Sequence, residues 1–286
     1  MKIAIVGYFK YHLECIGFLL ENYNNVDIYL GKDTDTYNWI DYYSTIFNFN
    51  VIYDGFHKDI IYNYDKIFKL TSNDSCLDHK KIISILHLNG KQQLVCSSEK
   101  FISLTPYIHG ESIHYIFPIY RPILSVSSKV SNTVTMIGYY RNSDFDMDTI
   151  KFINDNINYN FIFIIWGSRC YPRLRNLKNV KLISEIKTNN MIEIIHESKF
   201  ILSKKNIWYD RFSGQLALAM SYEKPMMIDI ITKETYNLPG IAFDTNYSEI
   251  GYLDDITDEE YKLLKNEIHF FKETIIDRNK RRFQTL

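Results

Sequence analysis

The stretch Asp210-Arg-Phe-Ser-Gly-Gln-Leu-Ala-Leu-Ala-Met-Ser-Tyr-Glu-Lys-Pro225, continuing into Met226-Met-Ile-Asp229, decides the reading of this chain. It passes from a polar loop into an apolar helical run, then through a Lys-Pro turn into a short apolar strand. Ser213 and Gly214 stand where the helix begins. Free backbone N–H groups and the helix dipole favour a phosphate there, and Gly214 lets a diphosphate approach the backbone closely. Ala217 and Ala219 allow the helix to pack tightly on a sheet. Taken alone, the segment is equally an ordinary αβ unit with a serine N-cap.

Outward from this segment, short apolar runs alternate with helical patterns. Residues 133–138, 161–166, 180–184, 199–203, 225–230 and 241–243 read as strands, with helices over 145–156, 189–197 and 212–222. Upstream, residues 2–6, 26–30, 51–53, 66–71, 82–87 and 101–105 form an earlier set, with a helical pattern over 13–22. Several runs are apolar on both faces, as buried parallel strands are. This is βαβ syntax given twice. The predicted fold class is α/β, with two Rossmann-like parallel-sheet domains facing a cleft. The aperiodic, Pro- and Ser-containing segment 117–132 is the linker candidate, which sets the domains at 1–122 and 123–286. A capping box, Thr257-x-x-Glu260, opens a final helix over about 258–282. It carries a stripe of Tyr261, Leu264, Ile268, Phe271 and Ile275, and is expected to pack back on the N-terminal domain.

Composition excludes several classes of function. The 286 residues are 46% hydrophobic, which is enough for a substantial core. A net charge of −1 gives no overall basic field to hold nucleic acid. The dense basic run Arg278, Lys280, Arg281, Arg282 reads as a solvated helix end. The four cysteines, Cys15, Cys76, Cys96 and Cys170, form no C-x-x-C pair or zinc spacing. They suit a reducing, cytoplasmic setting. No run is apolar and long enough to span a membrane, and residues 1–6 do not form a signal peptide. The Gly-rich fingerprints of P-loop enzymes and dehydrogenases are absent, as is the Gly-x-Ser-x-Gly elbow of hydrolases.

The pattern of polar loop, Ser-Gly, Leu-Ala-Leu-Ala-Met-Ser, Lys-Pro and apolar strand resembles the donor-binding unit of GT-B glycosyltransferases. Upstream, Met136-Ile-Gly-Tyr-Tyr-Arg141, Ile164-Ile-Trp-Gly-Ser168 and Met191-Ile-Glu-Ile-Ile-His196 extend the resemblance over roughly 133–244. It implies that Gly138 and Arg141 face a donor diphosphate, with Arg141 as a planar cation. Gly167 and Ser168, with Arg169 beside them, would lie near the nucleotide. Lys204 and Lys205 would neutralise phosphate, and Asp210, Arg211, Ser213 and Gly214 would complete the donor site. The implied co-substrate is a nucleotide-diphosphate sugar such as a UDP-sugar, and the acceptor a glycan, protein or lipid-linked hydroxyl. Retaining members carry two glutamates spaced as Asp210 and Leu218 are. Leu218 cannot hydrogen-bond a sugar, so inversion is expected.

An inverting displacement needs a base for the acceptor hydroxyl. His12 follows the first strand and Asp74 follows the strand at 66–71. Both are expected at the carboxyl edge of the first sheet, where ligands bind. A carboxylate partner would fix the tautomer of His12 and raise its pKa. His87 is the runner-up base, and His109 and His114 fall among loop residues. Asp33-x-Asp35 and Asp144-x-Asp146-x-Asp148 are metal-type strings, but the second precedes a helix, where acidic residues cap. No metal or other cofactor is expected. The alternatives are a non-catalytic protein on the same scaffold and a nucleotide-sugar epimerase.

Overall fold

The computed structural model describes residues 1–7, 13–53, 55–70, 79–86, 100–106, 113–122, 130–139, 144–166, 171–205 and 212–286. Two compact units are formed. One comprises Met1–Arg121, Asp210–Ala217 and Thr274–Leu286, and the other Pro122–Tyr209 and Leu218–Glu273.

The first unit holds a seven-stranded sheet of β1 (Ile3–Gly7), β2 (Val26–Leu30), β3 (Asn50–Tyr53), β4 (Lys66–Lys69), β5 (Ile82–Leu86), β6 (Lys100–Ser103) and β7 (Ile113–Tyr115), in the order β3-β2-β1-β4-β5-β6-β7. Every pairing is parallel. The second unit holds β8 (Ser131–Gly138), β9 (Asn160–Ile165), β10 (Val180–Ser184), β11 (Ser198–Leu202), β12 (Met226–Asp229) and β13 (Ile241–Phe243), ordered β10-β9-β8-β11-β12-β13 and again all parallel. The helices are α1 (Gly17–Leu20), α2 (Trp39–Ser44), α3 (Met147–Asp155), α4 (Pro172–Arg175), α5 (Thr188–Glu197), α6 (Gly214–Ser221), α7 (Ile230–Tyr236) and α8 (Asp258–Thr285). β1, β2 and β5 are buried along their whole length. That accounts for their mainly apolar sequences, interrupted by Asp27 in β2 and Ser84 in β5, since a parallel sheet is covered on both faces.

Several elements differ from the sequence reading. The helix expected over 13–22 is a 3-10 turn, Leu13–Cys15, followed by the single turn α1. β7 was unanticipated, and it places His114 on a strand instead of a loop. α7 also appears, started by Asp229, whose carboxylate accepts from the Thr232 amide at 2.9 Å. Short elements of this kind form because neighbours cover them, not because their own periodicity is strong. The capping box does form: the Thr257 amide donates to Glu260 at 2.8 Å, and the Glu260 amide to Thr257 Oγ1 at 3.2 Å.

The start of the predicted linker is also packed. Ile116, Phe117, Ile119 and Tyr120 are buried. The Tyr120 ring lies edge-on to Tyr43, with centroids 5.6 Å apart. It covers Gly17 so closely that a β-carbon there would sit 2.5 Å from Tyr120 Cδ1. Gly17→Ala is therefore expected to cost about 2 kcal/mol by overpacking. Urea denaturation should show a lower midpoint with an unchanged slope, and an undiminished midpoint would mean that Tyr120 is free to move.

Candidate functional site

Each sheet reverses its strand order once: between β1 and β4 in the first unit, and between β8 and β11 in the second. In open α/β sheets, ligands bind beyond the carboxyl ends of the strands at such switch points. In chain order, most of the residues singled out in the sequence come at or after the ends of these four strands. His12 comes after β1, Asp74 after β4, Gly138 and Arg141 at and after β8, and Lys204 to Gly214 after β11. Gly167 and Ser168 follow the adjacent β9. His12, Asp74, Arg141, Gly167, Ser168, Asp210 and Arg211, with Arg169, His87 and His109, lie outside the described residues.

Gly138 ends β8 with φ of 150°. Beyond β8 and β11, Lys204 and Lys205 meet a row of carboxylates. Lys204 Nζ is 2.6 Å from Asp144, and Lys205 Nζ is 3.1 Å from Asp146 and 2.5 Å from Asp148. Asp146 is the N-cap of α3, accepting from the Thr149 amide and hydroxyl, both at 2.8 Å. Asp148 accepts from the backbone amides of Tyr247 at 2.7 Å and Ser248 at 3.2 Å. The Lys205 ammonium also lies 4.6 Å from the centre of the Tyr247 ring. The Tyr247 hydroxyl accepts from the Lys205 amide and donates to Ser203 O.

Burial pushes the carboxyls of Asp146 and Asp148 up. The Thr149 donors and Lys205 outweigh it at Asp146, and Lys205, Ser248 and Tyr247 outweigh it at Asp148, so both end below the usual carboxylate range. The two lysines assigned to phosphate are thus directed to carboxylates of their own unit. The acidic string that resembles a metal motif is engaged with those lysines and with α3. Among the described residues, no cluster of three or more His, Cys, Asp or Glu is arranged to hold a metal ion. Sequence reading missed this pairing, although opposite charges on the loops after adjacent strands were its visible signal.

In the first unit, Gly214 begins α6 against the Glu14 side chain. A β-carbon on Gly214 would lie 2.7 Å from Glu14 Cγ and 2.8 Å from Oε1. A carboxylate therefore stands beside the helix start at which a phosphate was expected. The dipole there favours any anion, the Glu14 carboxylate included. Glu14 was not singled out in the sequence, because nothing local to it points to residue 214. Leu218 is buried among apolar side chains on α6, as are Ala217 and Ala219. Its position is one of packing.

The Lys-Pro turn has a structural role. Lys224 Nζ donates to His196 O at 2.6 Å and Ser198 O at 3.1 Å, closing the end of α5. Burial, with Lys265 adding repulsion, pushes its ammonium down to about 8. Another buried carboxylate, Asp27, lies near the amino end of β2. It accepts from Tyr64 at 2.6 Å and Asn50 at 2.8 Å, and pairs with Lys2 at 3.1 Å. Its partners and its distance along the strand from the carboxyl edge make it part of the fold's internal bonding.

No protein-family model matches the sequence, and no curated protein does. Solved structures do share its fold. A UDP-GlcNAc 2-epimerase from Neisseria meningitidis bound to UDP-GlcNAc is similar over 97% of this chain and 99% of that one, with TM-score 0.56 and 11% identity. The UDP-N-acetylglucosamine 2-epimerase of Rickettsia bellii covers 98% of each chain, with TM-score 0.55 and 11% identity. A glycosyltransferase from Streptomyces nogalater covers 94% and 95%, with TM-score 0.50 and 9% identity. At these identities the likeness concerns the fold, which is the GT-B type expected from the sequence. Among the described residues, no helix is long and apolar enough to cross a membrane.

Proposed function

We propose that this chain is a glycosyltransferase that moves a sugar from a nucleotide-diphosphate donor to an acceptor hydroxyl by a metal-independent, inverting displacement. The supporting observation is one of chain order: the polar residues picked from the sequence mainly come at or after the ends of the switch-point strands β1, β4, β8 and β11. In this reading, Gly138, Arg141, Ser213 and Gly214 bind the diphosphate, and Gly167 and Ser168 border the nucleotide. Asp210 and Arg211 complete the loop before α6. His12, oriented by Asp74, takes the acceptor proton. With Leu218 buried, α6 offers no carboxylate at the position where retaining members carry one, which favours inversion.

A second reading, epimerisation of the nucleotide sugar, is favoured by the higher TM-scores to the two 2-epimerases than to the glycosyltransferase. Incubation with UDP-sugars separates the readings. A transferase releases UDP when an acceptor is present, whereas an epimerase changes the sugar and leaves it attached. If no UDP-sugar or nucleoside diphosphate binds, the donor site is refuted, and a non-catalytic scaffold is the remaining reading.

The Glu14 contact adds a quantitative expectation. Donor phosphate and the Glu14 carboxylate would draw on the same helix start, so Glu14→Gln should tighten UDP binding about fivefold, the worth of roughly 1 kcal/mol at a helix terminus. Calorimetric titration of both proteins measures it, and equal or weaker binding by the variant refutes the competition.

A further inference from the structure

The residues that leave the carboxyl ends of the second sheet differ in chemistry from strand to strand. Glu185 follows β10, Ser203 follows β11, Ile230 follows β12 and Asp244 follows β13. Tyr139 follows β8 and Trp166 follows β9. The two aromatic positions therefore fall on neighbouring strands, and one of those strands, β8, borders the switch point.

β8 and β9 stay in parallel register up to Gly138 and Ile165. The ladder then continues one step, because the Trp166 amide donates to Gly138 O at 3.1 Å. That bond holds Trp166 beside the residue that precedes Tyr139, on strands spaced about 4.8 Å apart. Gly138 leaves β8 with φ of 150°, a setting that glycine adopts at no steric cost. It adds no side chain of its own to the edge that the two aromatics share.

Behind this edge the ladder is packed: Ile137, Ile164 and Ile165 are buried. Tyr139 is 52% exposed, and Trp166 is partly exposed. A rigid, buried pair of strands thus carries two large rings out to the edge where ligands of open parallel sheets bind. Aromatic rings gain when another flat ring covers them. The donor-site reading sets a diphosphate at Gly138, whose carbonyl is bonded to Trp166. The base attached to that diphosphate is the flat ring nearest to hand.

We propose that Tyr139 and Trp166 form the stacking platform for the nucleobase of the donor. The inference rests on the donor-site reading and deepens it. Stacking uses the π-face that every base has, so the platform accepts purine and pyrimidine nucleoside diphosphates and discriminates against ligands with no base.

The test is calorimetric titration of the full chain with UDP, ADP and inorganic pyrophosphate, which lacks a base. Tyr139→Ala and Trp166→Ala should each weaken UDP and ADP about tenfold, within the worth of one base–aromatic stack. Pyrophosphate should change by less than about twofold in the same variants. Tyr139→Phe and Trp166→Phe, which keep a ring and remove the polar group, should bind UDP within about threefold of the unaltered protein. UDP should also quench tryptophan emission, and the quench should be lost in Trp166→Phe although affinity remains. Tyr252→Ala removes a ring that is 58% exposed elsewhere in the second unit, and should leave all three ligands unaffected. If Trp166→Ala does not fold, Tyr139→Ala at its exposed position decides the matter. The platform is overturned if both alanine variants bind UDP as the unaltered protein does, or if they lose pyrophosphate as strongly as UDP. Failure of the unaltered protein to bind any of the three ligands refutes the donor site itself, and the platform with it.

Discussion

Lys205→Met is expected to lower stability by about 3 kcal/mol, because removing one partner of a buried charge cluster leaves the others uncompensated. Lys205 is 9% exposed and stands between Asp146 and Asp148. The low end of the range applies, since the Asp146 side chain is 49% exposed and water screens it. Asp148, at 17%, bears most of the loss. The same residues set a pH dependence. Both carboxyls have folded pKa values below the ordinary range, so the folded state holds fewer protons than the unfolded state between the two values. Their contribution to stability is fully present above the unfolded value and is lost as pH falls through the folded values. Without Lys205 both folded pKa values rise towards the unfolded value, so the stability lost on acidification is smaller and the pH profile flatter. Urea unfolding of both proteins between pH 3 and 7 checks the magnitude and the direction. An unchanged midpoint would show that Thr149, Tyr247 and Ser248 hold these carboxylates unaided.

His12→Ala is expected to lower kcat by about 10²- to 10⁴-fold, the usual contribution of a positioned general base. KM for the donor should change little, because the base acts on the acceptor proton. The expectation rests on chain order: His12 follows β1 and Asp74 follows β4, and those two strands are neighbours at the switch point of the first sheet. If Asp74 supports the imidazole, Asp74→Asn lowers the pKa of His12, so the acid limb of the pH–rate profile moves to lower pH. Nucleotide release from a UDP-sugar, followed across pH in the three proteins, distinguishes the roles. Undiminished turnover in His12→Ala removes it from the mechanism and makes His87 the next residue to test.

Much of this could be read from the chain. Mainly apolar runs such as Ile3–Gly7 and Ile82–Leu86 announce strands covered on both faces, and their repetition announces a second sheet. Thr257 and Glu260 mark the start of α8, and Asp146 the start of α3, because capping is local and uses residues three apart. The same locality explains what was missed. Nothing near residue 114 distinguishes a three-residue strand from a loop, and the segment Phe117–Tyr120 lacks periodicity although it is buried. The terminal basic residues look alike in sequence, yet helix phase leaves Arg278 and Arg282 half-buried and Lys280 and Arg281 exposed.

The sequence by itself determined the class of fold and the doubling of the sheet, because periodicity and chain order survive without coordinates. Tertiary structure alone decided the partners of those residues. Lys205 and Asp148 are 57 positions apart, and Glu14 and Gly214 are brought together from distant parts of the chain. Charges select their partners by distance in space, and only the folded sheets set that distance. Asp210–Asp229 illustrates the division: its helix and strand were legible, whereas the carboxylate beside Gly214 and the capping of α5 by Lys224 belong to contacts the segment does not encode alone.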